Sequence, residues 1–444
     1  MDIIKPTNVI KIAGSHMISG RALDKLGAEG DALTALQTIV TLFGEPYLTV
    51  KADNKPISLL WNRPDRLATV ELYIFGKCLQ KVMTSNEKWL KQTIREIKKS
   101  PEKARGLCTE IIYLGMFDVQ ERTINPAAKN NAGYDFSITT DDGQNQYVSI
   151  KNVDISANNA SFQRGCRKVR TRWQDKLRLN RKNLSLRVII RDLPAEEDFD
   201  LIIKSIQEQK EIYPKLHLTP KAGIDIFIAS LPSFGNLSSA HTSDAVMFYC
   251  TAPTSETQRY LSGVRKAVQN IYRHTKNDIS ALRVVFMRLH VNADFDEIRK
   301  QAKELVNLES NEVDCLIFHQ PSYVRDEQNN SHINHGFLIE ANARFALAST
   351  QYGLIKCMPP IGSVSLQQSR NQIRDVNNGS ILDVHPSDYL FQQGDIYNLG
   401  KMGEHISLSS PATGIREHGV CLVDGSHIVF SSKITPPTED LLLI

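Results

Sequence analysis

A predicted β-hairpin within residues 134–155 is the feature that most constrains how this chain can fold. Residues 134–138 alternate polar and apolar side chains, as a half-buried strand does, and residues 147–155 form a second run rich in β-branched side chains. The Asp-Asp-Gly sequence at 141–143 is a strong signal for a tight turn between them. We therefore expect the two runs to pair antiparallel and to form part of a sheet.

The hairpin carries two side chains of opposite charge at the same end. Asp135 opens the first strand, and Lys151 lies on the second. Because the turn is about midway between them, the two residues fall within about one or two positions of being opposite. A carboxylate and an ammonium group are therefore expected side by side at one end of a sheet.

A third charged residue, Glu110, lies on a predicted helix that precedes the hairpin. Ser100 suits the N-cap of this helix and Pro101 its first position. Apolar residues then recur at helical spacing as far as Gly115, where the pattern predicts the end of the helix. A helical glutamate, a strand aspartate and a strand lysine thus follow one another along the chain.

These three residue types suit the hydrolysis of a phosphodiester bond. A divalent cation held by carboxylates neutralises negative charge in the transition state and lowers the pKa of an attacking water. Mg²⁺ keeps several waters and needs only one or two protein carboxylates, which Glu110 and Asp135 would supply; Mn²⁺ is the alternative ion. Lys151 would position and activate the water, or stabilise charge at the phosphate.

The order of helix, strand and hairpin, followed by a long helix and a further strand, resembles the PD-(D/E)xK superfamily of restriction-endonuclease-like nucleases. The resemblance covers about residues 102–192, or roughly a fifth of the chain. Glu110 matches the helix carboxylate of that superfamily, Asp135 its central aspartate and Lys151 its strand lysine. The resemblance implies a core of helix, mixed sheet and helix, a magnesium-dependent DNA endonuclease, and a role in restriction or antiviral defence against phage.

Ser149 departs from the family pattern, which usually has Asp or Glu two residues before the lysine. Some relatives tolerate Ser or Gln there, because an acid has moved to the next helix or because other carboxylates suffice. No acidic residue occurs between Ile155 and Trp173, and Gln163 is the nearest polar candidate on that helix. Ser149, Gln163 and Asn152 are therefore candidate accessory residues of the site.

The predicted helix at residues 161–182 is strongly basic. It contains nine Lys and Arg residues and the single acid Asp175, a local charge of +8, whereas the whole chain carries only +4. Such concentrated charge is expected of a surface that binds a phosphate backbone, although most charge runs are solvated helix faces. Trp173, within the run, is interpreted as an anchor to the sheet. The candidate nucleic-acid contacts are Arg164, Arg167, Lys168, Arg170 and Arg172.

The chain has 444 residues, of which 41% are hydrophobic and 23% charged, which is enough for two or three domains. We expect an α/β protein with a mostly helical region at 1–99, a restriction endonuclease-like core at 100–219 and a second α/β domain of unassigned role at 220–444. Residues 187–190 are interpreted as the next strand of the nuclease sheet.

Other features of the sequence argue against several classes of protein and several kinds of site. No run approaches the ~18 apolar residues of a membrane span, and no signal-peptide pattern is seen, so we expect a cytoplasmic location and no membrane partner. The seven scattered cysteines include no CxxC pair and are read as buried thiols. His332 and His335 lie in a predicted surface loop without the third ligand that a metal site needs. No P-loop is present, so a separate ATPase or defence-system subunit would supply any energy.

Three functional interpretations follow. The first is a metal-dependent DNA endonuclease, for which double-strand cleavage would favour a homodimer with two sites. The second is a nucleic-acid-binding module of the same fold with a lapsed metal site, which Ser149 favours. The third is a nuclease controlled by a ligand sensor in the C-terminal α/β region, an interpretation that rests on fold analogy alone.

Overall fold

The structure is a computed structural model. It describes residues 26, 29–50, 52, 54–63, 66–117, 123–128, 133–139, 143–153, 155–182, 184–230, 244–291, 293–308, 312–325, 331–352, 357–368, 370–374, 381–383, 385, 388–394, 398–402, 405–409, 417–423, 427–433 and 443. Asp141 and Asp142 of the predicted turn, and residues 1–25 of the expected helical region, lie outside this description.

The described residues form ten helices. They are α1 (Glu29–Phe43), α2 (Glu45–Leu48), α3 (Pro56–Trp61), α4 (Arg66–Lys99), α5 (Pro101–Phe117), α6 (Ala157–Asn180), α7 (Glu196–Glu208), α8 (Ser255–Thr275), α9 (Phe295–Leu308) and α10 (Ala343–Tyr352).

The same residues form eighteen strands. They are β1 (Thr123–Pro126), β2 (Phe136–Thr139), β3 (Asn145–Asn152), β4 (Leu184–Ile190), β5 (Leu216–Lys221), β6 (Ile224–Ser230), β7 (Asp244–Cys250), β8 (Leu282–Arg288), β9 (Cys315–Arg325), β10 (Ser331–Ala341), β11 (Ser363–Ser365), β12 (Arg370–Arg374), β13 (Ile381–Asp383), β14 (Tyr389–Gly394), β15 (Asn398–Met402), β16 (His405–Ser409), β17 (Glu417–Val423) and β18 (His427–Lys433).

Two large mixed sheets organise the described chain. The larger has seven strands in the order β1-β2-β3-β8-β9-β10-β11, and the other has five in the order β14-β7-β4-β6-β5. In the larger sheet, β1, β2 and β3 pair antiparallel, whereas β3, β8 and β9 pair parallel. Smaller antiparallel sheets join β13-β12-β15-β16 and β17-β18. The α/β fold class expected from the sequence is therefore confirmed.

Helices cover both faces of the seven-stranded sheet. Val284 and Phe286 of β8 share one hydrophobic core with residues of α1–α5, whereas Val285 and Met287 share a second core with residues of α8 and α9. Alternate residues of the strand thus face opposite helical layers, as the pleat requires. All of β8 is buried, which is the usual state of a central strand between two helical layers.

The five-stranded sheet has its own core, built with α6 and α7. Trp173 of α6 is fully buried there, together with Val188 of β4, Phe199 of α7 and Phe248 of β7. The interpretation of Trp173 as an anchor, not as a base-stacking residue, is therefore confirmed. α6 accordingly packs on the five-stranded sheet, whereas β3 belongs to the seven-stranded one.

The chain passes between the two large sheets more than once. Residues 187–190, expected as the next strand of the sheet that contains β3, lie instead in β4 of the five-stranded sheet, because β3 finds its parallel partner in β8. β14 later returns to pair with β7. β5 runs through residue 220, where the sequence predicted a boundary between two domains. Dividing the chain at that residue therefore does not separate the two sheets.

Gly115, which was expected to end its helix, and Gly76 are both sites of close helix packing. α5 continues past Gly115 to Phe117, and a Cβ atom at Gly115 would lie 2.6 Å from the Cα atom of Cys78. α4 likewise continues through Gly76, where a Cβ atom would lie 2.4 Å from the carbonyl oxygen of Ala35. The missing side chains let helix backbones meet, which local spacing does not reveal.

The burial of His335 and of the cysteine side chains tests two further expectations. His335, expected in a surface loop, lies on β10 and is fully buried. Five of the six cysteines whose side chains are described are buried, and all six are free thiols. Among the described helices, none combines the length and apolar character needed to cross a membrane.

Candidate active site

The β2–β3 hairpin holds Asp135 in place through its backbone. The N–H of Asp135 donates to the carbonyl oxygen of Val148 at 2.9 Å, and its own carbonyl accepts the N–H of Ala127, also at 2.9 Å. The paired register continues from Phe136 opposite Val148. Asp135 therefore faces the segment of β3 that leads to Lys151, and the expected proximity of the two residues is confirmed.

The carboxylate of Asp135 is held by β3. It accepts the backbone N–H of Ile150 at 2.5 Å and lies 3.5 Å from the hydroxyl group of Ser149. Burial raises the pKa of Asp135, whereas the charge of Lys151 and these two hydrogen bonds act to lower it. Burial prevails, so the side chain resists ionisation despite its donors.

Glu110 on α5 belongs to the same cluster. Its carboxyl group is largely enclosed by protein, and burial raises its pKa to about 8. This value includes the negative charge of Asp135, which raises the pKa, and the positive charge of Lys151, which lowers it. The three residues that the sequence singled out are therefore close enough for their charges to interact.

Ser149 occupies the position where the family pattern has an acid, and it is fully buried. Its hydroxyl group faces Asp135, so it supplies a hydrogen-bond donor in place of a second carboxylate on β3. The site also includes a carboxylate that the sequence reading missed, because the charge of Glu96 on α4 raises the pKa of Glu110. Glu96 forms a 3.7 Å ion pair with Lys103. Glu96 lies outside the motif along the chain, so no local sequence pattern linked it to the site.

Asn152 ties the end of β3 to α5. Its amide group donates to the hydroxyl oxygen of Thr109 at 3.1 Å, and Arg288 of β8 donates to its carbonyl oxygen at 3.4 Å. Thr109 precedes Glu110 and Asn152 follows Lys151 in sequence, so this link joins the backbones that carry two site residues. Asn152 therefore acts as a structural neighbour of the site.

Gln163 and the basic residues lie on α6, which packs on the other sheet. The side-chain oxygen of Gln163 accepts a hydrogen bond from Arg167 at 3.0 Å within this helix. Arg164, Lys168 and Arg172 are exposed, as is Arg167, whereas Arg170 is partly buried. The accessory role expected for Gln163 gains no support from the contact that the structure describes.

Part of the positive charge of α6 is used inside the protein. Lys168 forms an ion pair with Asp200 of α7 at 2.7 Å. Lys176 and Lys182 donate to backbone carbonyl groups at and beyond the end of α7. The acidic start of α7 thus balances charge that appeared one-sided in the sequence.

The donor set of the site fits a hard divalent cation. Two carboxylates lie close together in an enclosed position, and each has a raised pKa because its charge is poorly solvated. A bound cation would remove the repulsion between them, and Mg²⁺ needs no more than two such ligands. In the described part of the chain no group of three or more His, Cys, Asp or Glu side chains is placed to hold a metal ion.

A second buried polar cluster begins one turn further along α5, at Tyr113. Its hydroxyl group lies 2.7 Å from Nδ1 of His319, whose Nε2 atom lies 3.0 Å from Nδ1 of His335. Nε2 of His335 lies 3.0 Å from the carbonyl oxygen of Ile361. A carbonyl only accepts, so His335 donates from Nε2, His319 donates to His335, and Tyr113 donates to His319.

This direction of donation fixes the tautomers of two neutral histidines. Burial lowers the pKa of His335 to about 4, and burial also lowers the pKa of His319, with the nearby charges of His335 and Arg288 adding to the effect. Every nitrogen of the two rings has a partner, so the cluster is complete without any further group. His319 and His335 are therefore structural residues.

Comparisons of this chain with protein-family models, with curated proteins and with solved structures find no match.

Proposed function

We propose that this protein is a metal-dependent DNA endonuclease with its active site at Glu110, Asp135 and Lys151. The observation that carries the proposal is the pairing of two enclosed carboxylates, each with a raised pKa, beside one lysine. Clusters in which ionisable groups oppose each other's ionisation are concentrated at functional sites.

Glu110 and Asp135 would hold Mg²⁺ or Mn²⁺. When bound, the ion would polarise the phosphoryl group and lower the pKa of an attacking water. The N–H of Ile150 and the hydroxyl group of Ser149 orient the carboxylate of Asp135. The ammonium group of Lys151 would donate to a phosphoryl oxygen and offset the charge that develops there.

The order of elements around the site supports the proposal. α5 precedes the antiparallel strands β1, β2 and β3, and α8 leads into β8, which pairs parallel to β3. The resemblance to the PD-(D/E)xK superfamily rests on the same order of helix, hairpin, helix and strand, but with α6 and β4 as the helix and strand after the hairpin. Here α8 takes the place that the sequence reading gave to α6, because the unit containing β4–β7 is inserted between β3 and α8.

The test is cleavage of supercoiled plasmid by the purified full-length chain in Mg²⁺, Mn²⁺ or EDTA. We expect nicking or linearisation that requires a metal ion and falls by roughly a hundredfold to a thousandfold in Asp135→Asn and Lys151→Gln. Lys204→Gln is a matched control, because Lys204 is exposed on α7 and pairs only loosely with Glu208 at 3.8 Å. Metal-independent cutting, or full activity in both site variants, would refute the assignment.

The runner-up is a nucleic-acid-binding module with a lapsed metal site. The replacement of the usual acid by Ser149, which donates to Asp135, favours this alternative. The plasmid experiment separates the two, because a lapsed site would bind DNA and cut it in neither metal. Restriction or defence against phage, a partner ATPase and a sensor role for the C-terminal region stay predictions of the sequence resemblance and of fold analogy.

A further inference from the structure

A polar stripe runs along the solvent-facing side of α8 and continues just past its end. Its members lie three or four positions apart, so successive residues fall on one side of the helix. We define the α8 stripe as Arg259, Ser262, Lys266, Gln269, Arg273 and Lys276. It contains four cations and no acid, and Arg265 adds a fifth cation at its margin.

The α8 stripe is available to a ligand in a way that the basic face of α6 is not. Lys266, Arg273 and Lys276 are exposed, and no acidic side chain of the described residues lies within ion-pair distance of them. On α6, by contrast, Lys168 is paired with Asp200, and Arg172 lies 4.0 Å from Asp175. Unbalanced exposed charge is the usual footprint of a polyanion-binding surface.

The α8 stripe begins beside the end of β3 that carries Lys151. Arg259 donates to the carbonyl oxygen of Ile155 at 3.4 Å. A Cβ atom built at Gly263 would lie 3.9 Å from a methyl group of Val153, so this turn of α8 packs on the residues that follow β3. The first cation of the stripe therefore lies beside the segment that follows Lys151 and the end of β3.

The far end of α8 meets the strand that carries Asp135. A Cβ atom at Gly133 would lie 2.3 Å from the Cβ atom of His274, so the backbone two residues before Asp135 packs directly on this helix. His274 is flanked by Arg273 and, two positions on, by Lys276. The same helix thus contacts the segments that precede and follow the paired strands of the hairpin, and Lys266, Arg273 and Lys276 are exposed on it.

We propose that the α8 stripe binds the sugar-phosphate backbone of duplex DNA beside the bond to be cut. The inference rests on the proposed nuclease function and identifies the surface that holds its substrate. From Arg259 to Lys276 the helix extends about 26 Å, which matches roughly seven to eight base pairs at about 3.4 Å each. The stripe has no aromatic residue on which an unstacked base could lie, which favours a paired duplex over a single strand.

The salt dependence of binding tests this assignment. A fluorescent duplex of random sequence is titrated with the full-length chain in EDTA between 50 and 200 mM NaCl, so that binding is measured without cleavage. For Lys266→Gln/Arg273→Gln we expect the slope of log K against log salt to become less negative by about 2, since each phosphate contact contributes about 0.9. The drop in affinity across this salt range should then be roughly tenfold smaller than in the wild type.

Arg164→Gln/Arg172→Gln on α6 is the matched control, because it removes the same charge from two exposed positions of the helix first predicted to bind nucleic acid. An unchanged slope in this control supports the α8 stripe. An equal or larger change in the control than in the α8 variant overturns the inference, whether or not the wild type cuts plasmid.

Failure of the proposed function has a different signature. If the wild-type protein binds the duplex but never cuts plasmid, the nuclease assignment is wrong. The salt-dependence slopes of the two double variants then still decide which helix binds DNA. If the wild-type protein neither cuts plasmid nor binds the duplex, both the nuclease assignment and the inference about the α8 stripe are wrong. Folding of each variant is checked by its circular dichroism spectrum.

Discussion

Helix α5 carries two buried polar clusters one turn apart, and they differ in how their electrostatics are resolved. At Glu110, burial raises the pKa values of two neighbouring carboxyl groups, and the charge of Asp135 adds to the shift of Glu110. At Tyr113, a phenol and two neutral histidines form a chain that ends on a backbone carbonyl, with every donor matched to an acceptor. The first cluster is electrostatically incomplete, and the second is complete.

This difference separates a site from a structural network. Buried polar groups are tolerated when they are fully hydrogen-bonded, and the histidine cluster meets that condition. A cation would stabilise the charged form of the carboxylate cluster, whereas without one its cost to the folded state is reduced by protonation. The two clusters on one helix thus differ both in their hydrogen bonding and in the direction of their pKa shifts.

The largest expected effect is the response of the histidine cluster to acid. The pKa of His335 is lowered to about 4 from 6.5, so the unfolded chain binds a proton that the folded protein resists. The stability that this residue contributes is full above about pH 6.5 and falls as the pH drops toward 4, by about 3 kcal/mol. Urea unfolding of metal-free protein between pH 4 and 7 measures it.

The control for this effect is His335→Gln, in which the residue cannot be protonated. The variant should be less stable than the wild type at pH 7 and should lose less stability between pH 6.5 and 4. Equal loss in the two proteins would show that His335 does not resist protonation, and the contrast with the carboxylate cluster would fail.

The carboxylate cluster should respond to pH with the opposite sign. The pKa of Glu110 is raised to about 8 from 4.5, so its ionisation destabilises the fold, with no cost below pH 4.5 and the full cost by about pH 8. Glu110→Gln in EDTA should therefore raise the free energy of unfolding at pH 8 by about 1 to 3 kcal/mol, and by less at pH 5. Denaturant titrations at the two pH values measure this gain.

The same denaturant titrations are repeated with magnesium in place of EDTA. Saturating Mg²⁺ should stabilise the wild type by mass action and leave Glu110→Gln nearly unchanged. A variant that is destabilised at pH 8 without metal would contradict the view that the carboxylates repel each other.

The smallest effect is expected from Tyr113→Phe. This substitution keeps the ring that packs on Phe286 and removes the donor to Nδ1 of His319, which stays buried without a partner. We expect a loss of about 1 to 2 kcal/mol of unfolding free energy. Tyr147→Phe is the control, because its hydroxyl group makes a 3.3 Å bond to Asp278 at a partly exposed position and its loss should cost little.

The sequence predicted the parts of the site that depend on local signals. The capping serine and proline placed α5, and the turn and the alternation of side chains placed Asp135 opposite the segment leading to Lys151. The charges of these residues are confirmed to interact with that of Glu110. Their catalytic use stays a prediction.

What the sequence did not predict depends on distant pairing. β4 follows β3 in the chain with a strand-like pattern, yet β3 pairs with β8, and only the tertiary fold decides between such partners. Tyr113 and His319 meet across more than two hundred residues, which no local spacing reveals. Helical periodicity in the sequence could have indicated the α8 stripe. The nucleic-acid contacts were assigned to α6 instead, because its run of basic residues is denser.

The pairing of β3 with β8 also sets an order of events during synthesis. Ser149 lies opposite Val285, so the strand that carries Lys151 lacks its parallel neighbour until the intervening unit has been made. At about 5 to 20 residues per second, that wait lasts on the order of ten seconds, whereas a hairpin forms in microseconds. The β2–β3 hairpin therefore presents an unpaired edge while residues 153–288 are made, which is about a third of translation. The inserted five-stranded unit receives its central strands before the seven-stranded sheet can close.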